Sequence, residues 1–288
     1  MKLLGLVCLA MAAFAANSVL NRAALTGGGV DPVAFGVLRL ASGAAVLAPL
    51  ALLRGGVPLL GRGRLTGALA LSIYVFGFSL AYLGLDAGLG ALILFGCVQI
   101  TMFGGALVQR ESVPPLRWIG AGIAFAGLLW LLWPGGAEAA PRVAPLSGAM
   151  MAAAGIAWGI YSLSGRGAGD PLAGTAANFV WAALAALGAA ALLLLWPSLL
   201  PGTQILRIDA QGALLAIMSG AVTSGLGYAL WYAVLPRLAA SSAGAAQLSV
   251  PILAMAGGAA FLGEPVTAEF AIAALIVLGG VGLSLLRR

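Results

Sequence analysis

The chain has 288 residues, 62% of them hydrophobic and 8% charged, with a mean hydropathy of +1.10. So little charge excludes a soluble globular domain, and the basic excess of +6 is scattered singly, which argues against a nucleic-acid patch. No histidine is present and both cysteines, Cys8 and Cys97, sit inside apolar stretches, so histidine-based catalysis, a histidine metal site and a disulfide framework are excluded too.

In chain order, the first apolar stretch covers residues 3–21, extended to 3–25 as a first membrane helix. Lys2, the apolar run and Ala13-Phe14-Ala15 also have the layout of a cleavable secretory leader. Removing it would leave nine helices and break the repeat described below, so it is read as a span. The second stretch, 32–53, carries Arg39 inside it. Windows 65–85, 87–109, 118–137 and 143–165 contain no charged residue. The long stretch 171–206 is truncated by Pro197 and Pro201, and windows 210–236, 238–263 and 270–286 complete the series. A hydrocarbon core about 30 Å thick needs about 20 apolar helical residues. The pattern therefore predicts an all-α integral membrane protein of ten transmembrane helices, with loops too short for an extramembrane catalytic module. The 43 glycines suit close helix contact in lipid, Gly104, Gly105, Gly257 and Gly258 among them. Pro251 is expected to kink the ninth helix.

With the amino terminus inside, the cytoplasmic loops receive Lys2, Arg54, Arg62, Arg64, Arg110, Arg117, Arg166, Arg237, Arg287 and Arg288. The outer loops receive Arg142 and Arg207, while Arg22 and Arg39 stay in or near the membrane. Basic residues favour the cytoplasmic side, so both termini are predicted cytoplasmic.

The chain also repeats. Residues 104–113 (GGALVQRESV) match 257–266 (GGAAFLGEPV), 153 positions on. Phe78 to Tyr82 (FSLAY) matches Tyr228 to Tyr232 (YALWY), and Asp31-Pro-Val-Ala matches Asp170-Pro-Leu-Ala. Two halves are expected, 1–136 and 143–288, each of five helices. Five is odd, so the halves are inverted in the membrane, an arrangement associated with secondary transporters whose site lies at the midplane.

The motifs resemble the drug/metabolite transporter superfamily, specifically its EamA-type members. They are Gly263-Glu264-Pro265, its degenerate partner Arg110-Glu111-Ser112, Asn17, Asn21 and Arg22 in the first helix, Leu38-Arg39 in the second and Trp158-Gly159 in the sixth. Within that superfamily the chain is most similar to YddG-type exporters. The resemblance implies a multi-pass protein of the bacterial inner membrane that exports aromatic amino acids and related amphipathic compounds. Another metabolite carrier, for sugar-linked or nucleotide-like compounds, and a proton-coupled drug exporter stay open as alternatives.

Polar side chains inside a bilayer need a partner or a wet cavity. The candidates are Asn17, Asn21, Arg22, Arg39, Gln99, Asn178 and Gln247. Asn17 and Asn21 share one helix face. Arg39 reads equally as a carboxylate clamp and as a structural arginine, whereas Arg22 reads as structural or snorkelling. Among aromatics, Tyr74, Phe78 and Tyr82 are spaced by four, with Tyr228, Trp231 and Tyr232 at the matching place in the second half. Trp158 pairs with Tyr161, and Asn178 with Trp181, each three apart. Interfacial belts account for Trp130, Trp133 and Trp196. The mid-span rings are expected to wall a substrate cavity between the halves.

Every acid falls at a span end, and no phosphate-binding loop occurs. Facilitated transport without a cofactor follows, and a membrane-embedded enzyme lacks its catalytic residues. The expected partners are a small-molecule substrate and the lipid bilayer, not nucleic acid, with the chain acting as a monomer or, alternatively, a homodimer. Reporter fusions ending after Arg142 and after Arg288 should report opposite sides of the membrane; the same side for both would overturn the topology.

Overall fold

A computed structural model describes residues 2–61, 63–110, 114–132, 144–165, 169–196 and 206–285. Arg62, Glu111, Ser112, Trp133, Arg142, Arg166, Pro197, Pro201, Arg287 and Arg288, which figure in the expectations above, lie outside them. Among the described residues the chain is all-helical, apart from an isolated antiparallel bridge between Val30 and Ile208.

The first part runs α1 (Lys2–Thr26), α2 (Pro32–Leu52), α3 (Arg64–Ala81), α4 (Ala87–Val108) and α5 (Pro115–Leu132). The second begins with α6 (Pro145–Gly165) and α7 (Pro171–Leu195). Next, α8 (Ala210–Met218) passes through a π-helical stretch, Ser219–Leu226, into α9 (Gly227–Val234) and a 3-10 turn, Leu235–Arg237. Then come α10 (Ala240–Gln247), α11 (Val250–Leu262) and α12 (Ala268–Leu285). Among the described residues, seven helical segments are long and apolar enough to cross a membrane by length and composition, with shorter apolar helices at Val250–Leu262 and Ala268–Gly280.

The matched Asp-Pro motifs do the same local work. Asp31 accepts hydrogen bonds from the Val33 and Ala34 amides and starts α2, with Pro32 in its first turn. Asp170 accepts from the Leu172 amide and starts α7 in the same way. A carboxylate satisfies otherwise orphaned amides, and proline loses nothing where no amide is needed. Pro251 obeys this rule rather than the expected one. It lies in the first turn of α11, after a break at Leu248 and Ser249, so the stretch expected as the ninth helix is two helical pieces instead of one kinked helix.

Helices from the two ends of the chain interleave. α2 packs on α7, α3 on α6 and α7, α4 on α6 and α11, α1 on α8, α9 and α11, and α5 on α12. Large apolar side chains such as Leu4, Leu69, Ile73, Leu184 and Leu275 remain exposed. A surface like that is a liability in water but suits hydrocarbon.

Close approach decides which glycines matter. A Cβ on Gly220, in the π-helical stretch, would collide with the Arg39 carbonyl and the Ser42 hydroxyl, so α2 reaches this helix only because a side chain is missing. Gly105, Gly257 and Gly258 are likewise at contacts, against Leu163, Val19 and Glu264, whereas Gly104 faces open space and is not. Gly220→Ala is therefore expected to destabilise the protein by about 1–3 kcal/mol, the usual cost of overpacking, read as a lower thermal midpoint in detergent. Gly104→Ala, in a helix with room, should be neutral or mildly stabilising.

Candidate functional site

Helix periodicity brings one face each of α1, α2, α3, α6 and α9 together at the middle of the bundle. Arg39 is fully buried there. Its Nε donates to Ser224 Oγ at 2.8 Å, and one terminal nitrogen donates to the hydroxyls of Tyr74 (3.0 Å) and Tyr228 (2.6 Å). The guanidinium carbon also lies 5.1 Å from the ring centroids of both Tyr74 and Phe78, a cation–π arrangement. Its other terminal nitrogen has no hydrogen-bond partner among the described residues. Asn17 adds to the network, its amide nitrogen donating to the Tyr74 hydroxyl at 3.2 Å. Its oxygen accepts from Ser219 (2.5 Å) and Thr223 (3.1 Å) of the π-helical stretch.

Rings surround this network. Trp158 lies 4.4 Å from Tyr228, 5.0 Å from Tyr74 and 5.4 Å from Tyr161, centroid to centroid. Phe78 meets Tyr82 at 4.7 Å, and Tyr161 meets Tyr232 at 5.1 Å. The Trp158 indole donates to Gln247 Oε1 at 2.7 Å, tying the end of α10 to α6. Trp231 turns to Ser162 and Tyr232 donates to the Tyr161 carbonyl. The rings touch one another, so the centre is filled in this structure.

The remaining expected residues lie at the edges. Asn21 donates to Ser79, and Gln99, its Oε1 without a partner, lies where Gly244 brings α10 close. Asn178 faces a cavity described below. Trp181 does not join: it is 42% exposed on the outer face of α7 and donates to the Leu59 carbonyl. Phe14 and Ser224 were not anticipated. Phe14 sits edge-on to Trp158, Tyr228 and Trp231 at 5.3–5.7 Å. Ser224 precedes Tyr228 by one helical turn, a spacing that could have revealed it.

The two ends of the bundle differ. At the end carrying the starts of α3 and α7, a cavity of about 330 Å³ is lined by residues including Arg64, Ser164, Asp170, Asn178, Tyr232 and Pro236. At the opposite end Arg22 is neither snorkelling nor alone. It pairs with Asp86 at 3.1 Å and Glu264 at 3.2 Å, and donates to the Tyr82 carbonyl at 2.7 Å. The Gly-Glu motif explains the geometry. Gly263, at φ 66°, ends α11 in a left-handed turn, and Glu264 folds back to accept the Ala87 amide at 2.9 Å. A residue after α11 thus caps the N-terminus of α4, where Asp86 makes no cap bond of its own. Burial pushes the Glu264 carboxyl above its ordinary range and Asp86 adds to this, against the Ala87 amide and Arg22. It therefore takes a proton more readily than an exposed glutamate, and that proton weakens its pairing with Arg22. No cluster of three or more cysteine or acidic side chains gathers among the described residues.

Residues 146–286 match the model of the EamA-like transporter family. The chain is 49% identical over 284 residues to an uncharacterized protein of Pseudomonas aeruginosa, covering 98% of this chain and 94% of that one. It is 27% identical over 216 residues to a probable amino-acid metabolite efflux pump of Salmonella typhimurium, covering 72% and 70% of the two chains. A solved crystal structure aligns with a TM-score of 0.67 at 18% identity, covering 95% of this chain and 96% of the other, and speaks for the fold alone.

Glu264→Ala should cost about 1–3 kcal/mol by leaving the Ala87 amide and part of Arg22 unpaired, seen as a lower thermal midpoint. Glu264→Gln, which still offers the amide an acceptor, should lose less.

Proposed function

We propose, from the EamA-like transporter family domain at residues 146–286, that the chain exports aromatic amino acids and related amphipathic compounds across a bacterial inner membrane by alternating access. The proposed architecture is ten crossings in two inverted halves, 1–136 and 143–288, with both termini cytoplasmic. The observation that carries the substrate reading is the ring cluster of Trp158, Tyr74, Phe78, Tyr161 and Tyr228 packed round Arg39 where helices from both halves meet. Rings at that depth offer stacking to an aromatic side chain, and an interface belt does not account for them. The Salmonella relative's description as an amino-acid metabolite efflux pump points the same way.

The interleaving of α2 with α7, α4 with α11 and α5 with α12 supports the two-half arrangement, since each pair joins equivalent helices of the proposed repeats. In the proposed orientation the 330 Å³ cavity opens to the cytoplasm, while the Arg22 network closes the outer side. The molecule then stands ready to load substrate from within. Outward movement requires the ring cluster to part and the Arg22 pairs to separate. No acid reaches the ring cluster among the described residues, which favours facilitated movement down a substrate gradient over proton coupling.

In proteoliposomes, counterflow of labelled L-tryptophan should proceed without an imposed proton or sodium gradient. Trp158→Ala should reduce it severalfold, from a lost stacking contact worth about 0.5–1.5 kcal/mol beyond the buried area. Trp196→Ala, 56% exposed at the end of α7, should leave it unchanged once expression is matched. Equal losses in both variants, or accumulation that a protonophore abolishes, would defeat the respective parts of the reading.

A further inference from the structure

Arg39 poses an accounting problem that its neighbours do not solve. A buried guanidinium is costly unless a counter-charge accompanies it. Among the described residues both ion pairs belong to Arg22, and Arg39 makes none. Its hydrogen-bond partners are three neutral hydroxyls, of Ser224, Tyr74 and Tyr228. Those hydroxyls are oversubscribed as acceptors. Tyr74 receives Arg39, the Asn17 amide and a contact from Tyr228 at 3.0 Å, on one oxygen with two lone pairs. Donors exceed acceptors at this point, and one guanidinium nitrogen, itself fully buried, is left with nothing to donate to. The environment is built to hold a positive charge in place, with two rings facing it and no acidic side chain paired with it among the described residues. A buried cation with surplus donors and no paired acid is the arrangement that receives an anion from outside.

We propose that Arg39 is the anion subsite of the transport pathway, and that the substrate's carboxylate is the counter-charge it lacks. This rests on the reading of the chain as a transporter and adds that the carboxylate, rather than the aromatic ring, is the obligatory recognition element. The planar fork of a guanidinium matches the two oxygens of a carboxylate, and the free nitrogen is one tooth of that fork. Once the ring cluster parts to admit it, a carboxylate takes the surplus donors of Arg39 and the Tyr228 hydroxyl, with the side chain of the substrate between the separated rings of Trp158, Tyr74 and Phe78. Amines and amides of the same shape bring no negative charge and leave the guanidinium uncompensated. Arg22 is no rival subsite, because its charge is already met by Asp86 and Glu264.

The test uses the purified full-length chain in detergent and reads the concentration of each probe needed to raise the thermal midpoint. The probes are matched pairs: L-tryptophan and L-tryptophanamide, L-phenylalanine and L-phenylalaninamide, L-leucine and L-leucinamide. Each acid should act at a concentration about tenfold or more below its amide, the usual weight of a charge-assisted hydrogen bond. Arg39→Gln should erase that difference, and Arg39→Lys should retain part of it. If Arg39→Gln does not fold, the acid–amide comparison in the wild type still decides, since an arginine that merely braces the bundle would not tell the two apart. Acid preference that holds for leucine as strongly as for tryptophan would uphold the anion subsite and sink the aromatic specificity. Equal action of acids and amides, with ring compounds ahead of leucine, would overturn the anion subsite and leave the aromatic reading standing. Acid preference that survives in a folded Arg39→Gln would overturn it as well, and no response to any probe would overturn both.

Discussion

A guanidinium held at the centre of an apolar bundle by hydroxyls and ring faces sets the terms for everything around it. Arg39 draws Tyr74 from α3, Tyr228 from α9 and Ser224 from the π-helical stretch onto one point, so three elements are oriented by one charge. In a low-dielectric interior such bonds are electrostatically strong, and an unmade one is expensive. The π-helical register follows from the same demand. Ser219, Thr223 and Ser224 all turn their hydroxyls toward Asn17, while Gly220 lets the backbone approach the Arg39 carbonyl. An ordinary side chain at Gly220 would push α2 away and break the convergence.

The rings belong to this arrangement rather than to a separate hydrophobic core. Tyr74 and Tyr228 serve twice, as hydroxyl partners of Arg39 and as faces against Trp158. Trp158 in turn is anchored by Gln247 at the end of α10, directly before the break between α10 and α11. Movement at that break is thereby tied to the ring that fronts the site. Arg39, Asn17, Tyr74, Tyr228 and the hydroxyls of the π-helical stretch are joined in one network, which is how such polar residues are made tolerable in an apolar bundle.

Much of this was legible from residues alone, and the exceptions have physical causes. Charge spacing reveals membrane spans because each charge is costly in lipid, so the apolar windows and the described helices coincide closely. The Asp-Pro pairs at 31 and 170 announce helix starts for reasons local to four residues. The break at Leu248 and Ser249 carries no such mark, since neither residue is charged and Pro251 is compatible with both a kink and a fresh start. Trp158 and Trp181 looked alike in sequence, each beside a polar residue on a central helix. Burial of one and exposure of the other depend on which face a neighbour covers, and periodicity does not say. The role of Glu264 was hidden for a different reason: its partners Arg22 and Ala87 stand 242 and 177 positions away.

A helix cap donated by another part of the chain ties two equilibria together. The start of α4 is satisfied only while the turn after α11 rests on it, so separating them exposes a buried amide and frees an arginine in the same movement. Secondary structure and conformational state are then linked quantities. By reciprocity, whatever favours a well-formed first turn of α4 also favours closure at that end, and whatever opens that end frays the turn. If the molecule alternates access as proposed, amide exchange at Ala87 is a gauge of which way it faces.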